Sequence, residues 1–355
     1  MMKTLAKRYL ITSLLFSIIF FCIGLFFIYA LDPAGVNNRF NSGLIKDSEL
    51  TLRTQKFVEL NRVKPNTILL GGSRMHFMNP KFIEKYTHDR VYNVAFSIST
   101  LEEQYHFLKY SIEHFDIKNV VIGLNLYTFS EKLKANENSD YDEEMFRSGF
   151  TIFKKIKYYM EFPLHKYFSD YVAKGYNKPL FKDGGRTLYS EMLYGGGKSW
   201  EAKRKEVVDG YSKYYYNDYL TWGETGFNYL RKMVKLCKDN HVKLKLFTTA
   251  VQASQLDILS DLNKTDIYFK WKKELASIYP YYDFMYYNSI SNNPNNYNDP
   301  SHLLQKNGDL YFSKIFGDHK PKEGDDFGVW VTKDNIDKHL EFLKKNIEEG
   351  KKPLN

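Results

Sequence analysis

The residues of this sequence with the means to do covalent chemistry stand towards its two ends. Near the start, NTILLGGSRMHFMNP (Asn66–Pro80) runs a short apolar segment into Gly71-Gly72-Ser73-Arg74, setting a serine where a buried strand would end. Near the other end, NYNDPSHLLQKNGDLYFSKIFG (Asn296–Gly317) places Asp299 three residues before His302 in a polar loop. A carboxylate at that spacing can accept the imidazole Nδ1 proton and leave Nε2 facing a hydroxyl. Together, such a serine, histidine and aspartate could form an acyl-enzyme. Each piece also has a plainer reading. Gly-Gly-Ser is ordinary turn chemistry, and Asp-Pro-Ser-His is also a helix start capped by Ser301 or Asp299.

Two further stretches carry polar side chains at strand ends. In VVIGLNLYTF (Val120–Phe129), Gly123 and Asn125 close an apolar run, and an Asn amide there could donate to an oxyanion. In VYNVAFSIST (Val91–Thr100), another strand ends with Asn93 and Ser97 in the following turn. Asn125 could equally satisfy a loop backbone, and Asn93 could serve only as a cap.

To act together, these residues must be brought to one place by the elements between them. After a polar link, Asp32–Asp47, short apolar runs alternate with helix-length amphipathic segments. The pattern predicts strands at Thr67–Gly71, Val91–Ala95, Val120–Leu124, Leu244–Thr248 and Asp283–Tyr287. It predicts helices at Leu101–His114, Gly226–Asn240 and Ile267–Ile278; in the second, Tyr229, Met233, Leu236 and Cys237 recur at helical spacing. Such alternation implies a mostly parallel sheet covered on both faces. The carboxyl ends of its strands share one edge, where open α/β sheets bind ligands, and Ser73 falls there. Residues 131–222 break the rhythm as an insertion with Gly195-Gly196-Gly197 and many aromatics: Tyr189, Tyr194, Trp200, Tyr211, Tyr214, Tyr215, Tyr216, Tyr219 and Trp222. These either pack a subdomain or touch a membrane surface, or else present flat faces to sugar rings. On the second reading Trp200 and Trp222, with Arg74 beside the serine, are candidate substrate-binding residues.

Bulk properties narrow the setting. With 355 residues, 43% of them apolar, the chain can bury a full core. Its net charge of +9 suits an anionic polymer or membrane surface. Nucleic acid is not an expected partner, because no helix-turn-helix, RNA-binding or zinc-finger signature is present. The two cysteines, Cys22 and Cys237, make no disulfide framework. With no Cys/His metal spacing and no glycine-rich phosphate loop, neither metal nor cofactor is expected. Lys3, Lys7 and Arg8 precede a stretch without charge, YLITSLLFSIIFFCIGLFFIYAL (residues 9–31), long enough to cross a bilayer. The basic flank should stay in the cytoplasm, leaving residues 32–355 outside. Cleavage after Ile28-Tyr29-Ala30 is the alternative to a retained signal anchor.

The order Gly-x-Ser after a strand, Asn-x-x-x-Ser, Gly-x-Asn, then Asp-x-x-His near the end resembles the SGNH (GDSL) hydrolase superfamily. The likeness covers roughly residues 65–128 and 225–317. It implies a flavodoxin-like three-layer α/β/α sandwich, with Ser73 as nucleophile, His302 as base and Asp299 orienting it. It further implies an oxyanion hole from Asn125 and the backbone N–H of Ser73, completed by the N–H of the residue at 98. The chain departs from the family pattern at Gly72, where Asp is usual, at Leu126, where Asp follows Asn, and at Ile98, where Gly is usual. A β-branched residue resists the positive φ that glycine permits, which sets an Ile98 donor against its own backbone preference. Such departures suggest a slow or specialised enzyme, or a partner that shares the work.

With the N-terminal helix, GGSR, GLNLYTF, NDPSHL and the tail FGVWVTKDNIDKHLEFL (Phe327–Leu343) resemble the membrane-anchored, DltD-like branch of that superfamily. That branch implies an acyl group received from a multi-pass membrane-bound O-acyltransferase and placed on a cell-surface polysaccharide. The expected organisation is a cytoplasmic flank and signal-anchor helix (1–31), a lead-in (32–64), a catalytic domain (65–320) with the 131–222 insertion, and a helical tail (321–355). The expected activity is O-acetyl transfer from Ser73, with a plain esterase and a non-catalytic polymer-binding protein as alternatives.

Overall fold

Apolar runs become strands and amphipathic segments become helices, in alternation along the chain. The computed structural model describes residues 2–32, 52–135, 140–161, 181–182, 184–187, 198–317 and 326–350. Tyr189, Tyr194, Gly195-Gly196-Gly197 and most of the polar link lie outside the described residues. The chain divides into two compact units, one of Met1–Val58 with Asp142–Leu180, the other of Glu59–Tyr141 with Phe181–Asn355.

In order, the helices are α1 (Met2–Leu31), α2 (Leu52–Val63), α3 (Ser73–His76), α4 (Lys81–Thr87), α5 (Leu101–His114), α6 (Glu144–Ser148) and α7 (Ile152–Glu161). There follow α8 (Trp200–Gly210), α9 (Thr225–Asp239), α10 (Ala253–Asp261), α11 (Thr265–Ile278), α12 (Gly308–Phe316) and α13 (Ile336–Gly350). The main sheet takes β1 (Thr67–Gly71), β2 (Val91–Asn93), β3 (Asn119–Leu124), β4 (Lys243–Thr248), β5 (Tyr281–Asp283) and β6 (Val329–Val331).

The larger unit is an α/β sandwich. Its strands run β2-β1-β3-β4-β5-β6, with only the last pair antiparallel. The first five follow the flavodoxin-like order, in which the connections reverse direction between β1 and β3. β1 is buried along its whole length, as a parallel strand covered on both faces must be. Leu69, Val121 and Phe247 share one face of the sheet and pack with Ile83 of α4 and Tyr311, Phe312 and Ile315 of α12. α5 and α9 pack on each other and on the sheet, at β1 and β4 respectively. α5 starts where the sequence marks it: Thr100 and Glu103 form a reciprocal capping box.

Two elements differ from expectation. β5 lies earlier than predicted, because Phe284 and Met285 turn their N–H groups to the Thr248 hydroxyl at 3.0 and 3.2 Å. They are thereby lost to the sheet ladder. The tail is also more than helical: Val329–Val331 pairs with β5 as an antiparallel edge strand.

The smaller unit contains α1, of which Leu5–Ala30, 26 residues, is long and apolar enough to cross a membrane. It also contains α6 and α7, so part of the described insertion belongs here and the rest to the larger unit.

Candidate active site

Register aligns the edge on which the polar residues sit. Gly71, Gly123 and Phe247 are neighbours across β1, β3 and β4. Ser73, Asn125 and Thr249 therefore emerge from the ends of three adjacent strands, at the place where the connections reverse.

Ser73 opens a tight turn of helix, α3, whose Met75 and His76 N–H groups return to Gly72 O at 3.0 and 3.1 Å. Gly71 has φ +145°, and a Cβ there would lie 2.7 Å from Gly123 O. No larger residue fits between these strands. The turn is then held from the side by Asn93, whose amide donates to Met75 O at 2.8 Å and Met78 O at 3.0 Å. Asn93 thus shapes the serine turn by binding its carbonyls.

His302 Nε2 lies 2.9 Å from Ser73 Oγ, although the two are 229 positions apart. Its Nδ1 faces both oxygens of Asp299, at 2.9 and 2.8 Å. The pair sits on a short ribbon, Tyr297–Asp299 against His302–Leu303. Asp299 is buried and also accepts from Ser301 N–H at 2.8 Å. Burial alone would raise its carboxyl; the imidazole of His302 and the N–H groups of Ser301 and His302 outweigh that and hold it below the usual range. This geometry assigns the Nδ1 proton to the Asp299 side and leaves Nε2 to accept from the serine hydroxyl. Phe77 sets its ring edge-on to the imidazole, 4.9 Å between centroids.

Asn125 is buried beside Gly72. Its Oδ1 accepts from Arg74 Nη1 at 3.0 Å and from the Thr249 hydroxyl. Its Nδ2 has no hydrogen-bond partner among the described residues. A buried donor without a partner is uncommon in a folded protein and calls for a ligand atom or water. The departure at Gly72 has a steric reason here: a Cβ at that position would lie 2.5 Å from Asn125 Nδ2. Any side chain at 72 would displace the amide.

Ile98 takes φ +52° despite its branched Cβ, and its side chain is 39% exposed. The positive φ expected of glycine is therefore adopted, at the strain of about 1–3 kcal/mol that such positions carry. Neither Ile98 N–H nor Ser73 N–H has an acceptor among the described residues.

Arg74 differs from its expected role. Its side chain is buried, 4% exposed, and its guanidinium is taken up by the protein. Besides Asn125 it donates to Ser301 O at 3.1 Å, Thr249 Oγ1 at 3.2 Å and the Tyr211 hydroxyl at 3.2 Å. With the Gln255 amide oriented to satisfy both its atoms, Oε1 accepts from Arg74 Nη2 at 2.7 Å and Nε2 donates to Ser301 Oγ at 2.6 Å. No carboxylate pairs with Arg74 among the described residues. One guanidinium thus ties the Asn125 amide to the loop that carries Asp299 and His302.

Of the aromatics named in the insertion, tyrosines and not Trp200 or Trp222 reach the site. Tyr211–Asp218 is a π-helical stretch; Tyr211, Tyr215 and Tyr127 pack ring against ring with centroids 4.9–6.2 Å apart, and the Tyr211 ring faces the Arg74 guanidinium at 5.9 Å. Burial pushes the Tyr216 hydroxyl up to about 12, so it remains a donor. Trp200 instead packs against the core around Tyr297 and Leu303. The Trp222 ring is engaged by Phe227, 4.9 Å between centroids, and by Lys270 Nζ, 3.8 Å from its centroid. Both indoles are half-buried and already make these contacts within the protein. Thr249 and Gln255 were not singled out from the sequence, and Tyr211 was named only as one of the insertion's aromatics. For Thr249 the signal was there, a polar pair directly after Leu246-Phe247 at the end of the expected strand; Gln255 is brought in only by folding.

No protein-family model matches this chain, and no curated protein matches it. Among solved structures, a Bacteroides fragilis protein described as a "putative acylhydrolase" is similar at 12% identity and a TM-score of 0.37, over 81% of this chain and 96% of that one. Likeness at that level carries no functional argument. The larger unit is an α/β sandwich whose strand-end edge aligns Ser73, His302 and Asp299 beside an Asn125 Nδ2 that has no partner among the described residues.

Proposed function

We propose that the protein is a serine acyl-transfer enzyme, and that its acceptor is a hydroxyl of a cell-surface polysaccharide. The observation that carries the chemistry is the 2.9 Å approach of His302 Nε2 to Ser73 Oγ, with Asp299 behind Nδ1. Ser73 Oγ attacks the acyl carbonyl carbon and gives its proton to His302 Nε2. The negative charge on the carbonyl oxygen meets Asn125 Nδ2 and the N–H groups of Ser73 and Ile98. Collapse breaks the bond to the leaving group, which departs with the proton from His302. An acceptor hydroxyl then attacks the acyl-Ser73 ester, gives its proton to His302, and leaves acylated as Ser73 Oγ takes that proton back. Water in the acceptor's place makes the same site an esterase.

The membrane setting supports transfer over hydrolysis. A helix able to cross a bilayer, and the resemblance in its neighbouring motifs, fit an enzyme on the outer face that receives its acyl group from a multi-pass membrane-bound O-acyltransferase. Tyr211, which faces Arg74, and Tyr127 and Tyr215, which pack on it, would help keep water from the acyl-enzyme. The test is covalent. The purified full-length chain should react with a fluorophosphonate probe and cleave an acetyl ester, and Ser73→Ala should do neither. A wild-type chain that fails to label sinks the proposal. Supplying polysaccharide then separates acceptors: acyl groups found on the polymer favour transfer, and free acetate alone favours an esterase.

A further inference from the structure

α7 carries an apolar face left exposed among the described residues. Ile152 is 64% exposed, Phe153 80%, Ile156 41% and Met160 57%. At about 100° per residue these four fall within one arc of the helix. Beside that arc, Tyr159 is buried against Ile28, and its ring meets Tyr29 edge-on at 6.4 Å. α7 is therefore fastened to the last turns of α1.

That position is informative. Leu5–Ala30 has 26 residues and is about 39 Å long, against a hydrocarbon core of about 30 Å. If α1 spans, its end at Leu25–Ala30 reaches the headgroup boundary. Tyr29, Tyr158, Tyr159 and Phe150 cluster there, and amphipathic aromatics favour that depth. The helix also carries Lys154, Lys155 and Lys157 against one acidic residue, Glu161. Lys154 pairs with Asp142 at 3.2 Å, and Lys155 Nζ lies 5.9 Å from the Phe150 ring centroid. An exposed apolar arc, a basic polar side and attachment to the end of a spanning helix are the features of a helix lying in the interface plane.

We infer that α7 lies along the surface of the bilayer that α1 crosses, with Ile152, Phe153, Ile156 and Met160 in the acyl region and the lysines towards anionic headgroups. The inference rests on α1 being membrane-spanning. Its consequence is a second attachment, which limits how the smaller unit can turn about the α1 axis.

The test uses the full-length chain in vesicles of phosphatidylcholine and phosphatidylglycerol, with bromines placed either high or low on the acyl chains. Phe153→Trp reports on α7 and Phe20→Trp on α1, each read as difference emission against the unsubstituted chain. The expected result is strong quenching of the Phe20→Trp signal. The Phe153→Trp signal should be blue-shifted and quenched more by the high bromines, at the depth of about 5–10 Å that interfacial helices reach. Quenching at position 20 without quenching at 153 overturns the inference while leaving the span intact. A blue shift at 153 without quenching also overturns it, because protein then covers the face. If neither position is quenched, the spanning reading and this inference fall together. Quenching at 153 alone overturns the inference as stated, because the span on which it rests is then absent.

Discussion

At the scale of single residues, the serine edge is held by hydrogen bonds that leave one buried donor unused. If Asn125 Nδ2 meets the oxyanion, Asn125→Ala should lower kcat on an acetyl ester by about 10²–10³ with little change in KM. Unchanged kcat would move that role to the backbone donors alone. Arg74 invites a sharper test, since the sequence suggested substrate binding and the structure buries the side chain. As a positioning residue acting through Asn125 and Ser301 O, its loss in Arg74→Met should appear in kcat. Arg74→Lys should rescue little, because one ammonium cannot reproduce the planar fork. Were Arg74 to hold substrate instead, KM would rise and kcat would stay.

At the scale of elements, two local strains and ties stand out. The loop after β2 holds Ile98 at φ +52°. Ile98→Gly removes that strain and loses little burial, so it should raise stability by about 1 kcal/mol, read from the urea midpoint. A destabilised variant would mean that the isoleucine side chain contributes more than its exposure implies. On the far side of the sheet, Asp283 closes β5 and binds Lys272 of α11 at 2.5 Å and His339 of α13 at 2.7 Å, all three buried. Burial lowers the Lys272 ammonium to about 8 even with Asp283 beside it. Lys272→Met would strand a buried carboxylate and should cost about 3–5 kcal/mol. A loss below about 1 kcal/mol would mean that His339 and the nearby backbone suffice for Asp283.

At the scale of the molecule, the buried carboxylates set the acid limit. Burial would raise Asp283, but Lys272 and His339 hold it below the ordinary range; Asp299 is held low by His302 in the same way. A carboxyl depressed in the folded state contributes stability that is complete above its unfolded pKa of about 3.9 and is lost as pH falls towards the folded value. Urea midpoints should therefore hold level down to about pH 5 and decline below about pH 4. A midpoint that stays level to pH 3 would contradict the depressed carboxylates.

Periodicity and residue type carried much of this architecture, because burial on a parallel strand or a helix face is a local property. Leu101–His114 could be read from its amphipathic period, and its start is fixed by the Thr100–Glu103 cap. The shared edge of Ser73 and Asn125 followed from alternation alone, as parallel crossovers leave few other arrangements. Three things waited for the folded chain. The approach of His302 to Ser73 spans 229 positions and depends on how the Tyr297–Leu303 ribbon docks. The pairing of Val329–Val331 with β5 is a choice of edge that a three-residue run cannot announce. The roles of Arg74, Trp200 and Trp222 turned on which neighbours reach them first. An arginine next to a serine reads as a substrate ligand until Asn125, Ser301, Thr249 and Tyr211 are found around its guanidinium. Long-range contacts of that kind leave no periodic trace, so tertiary packing alone decides them.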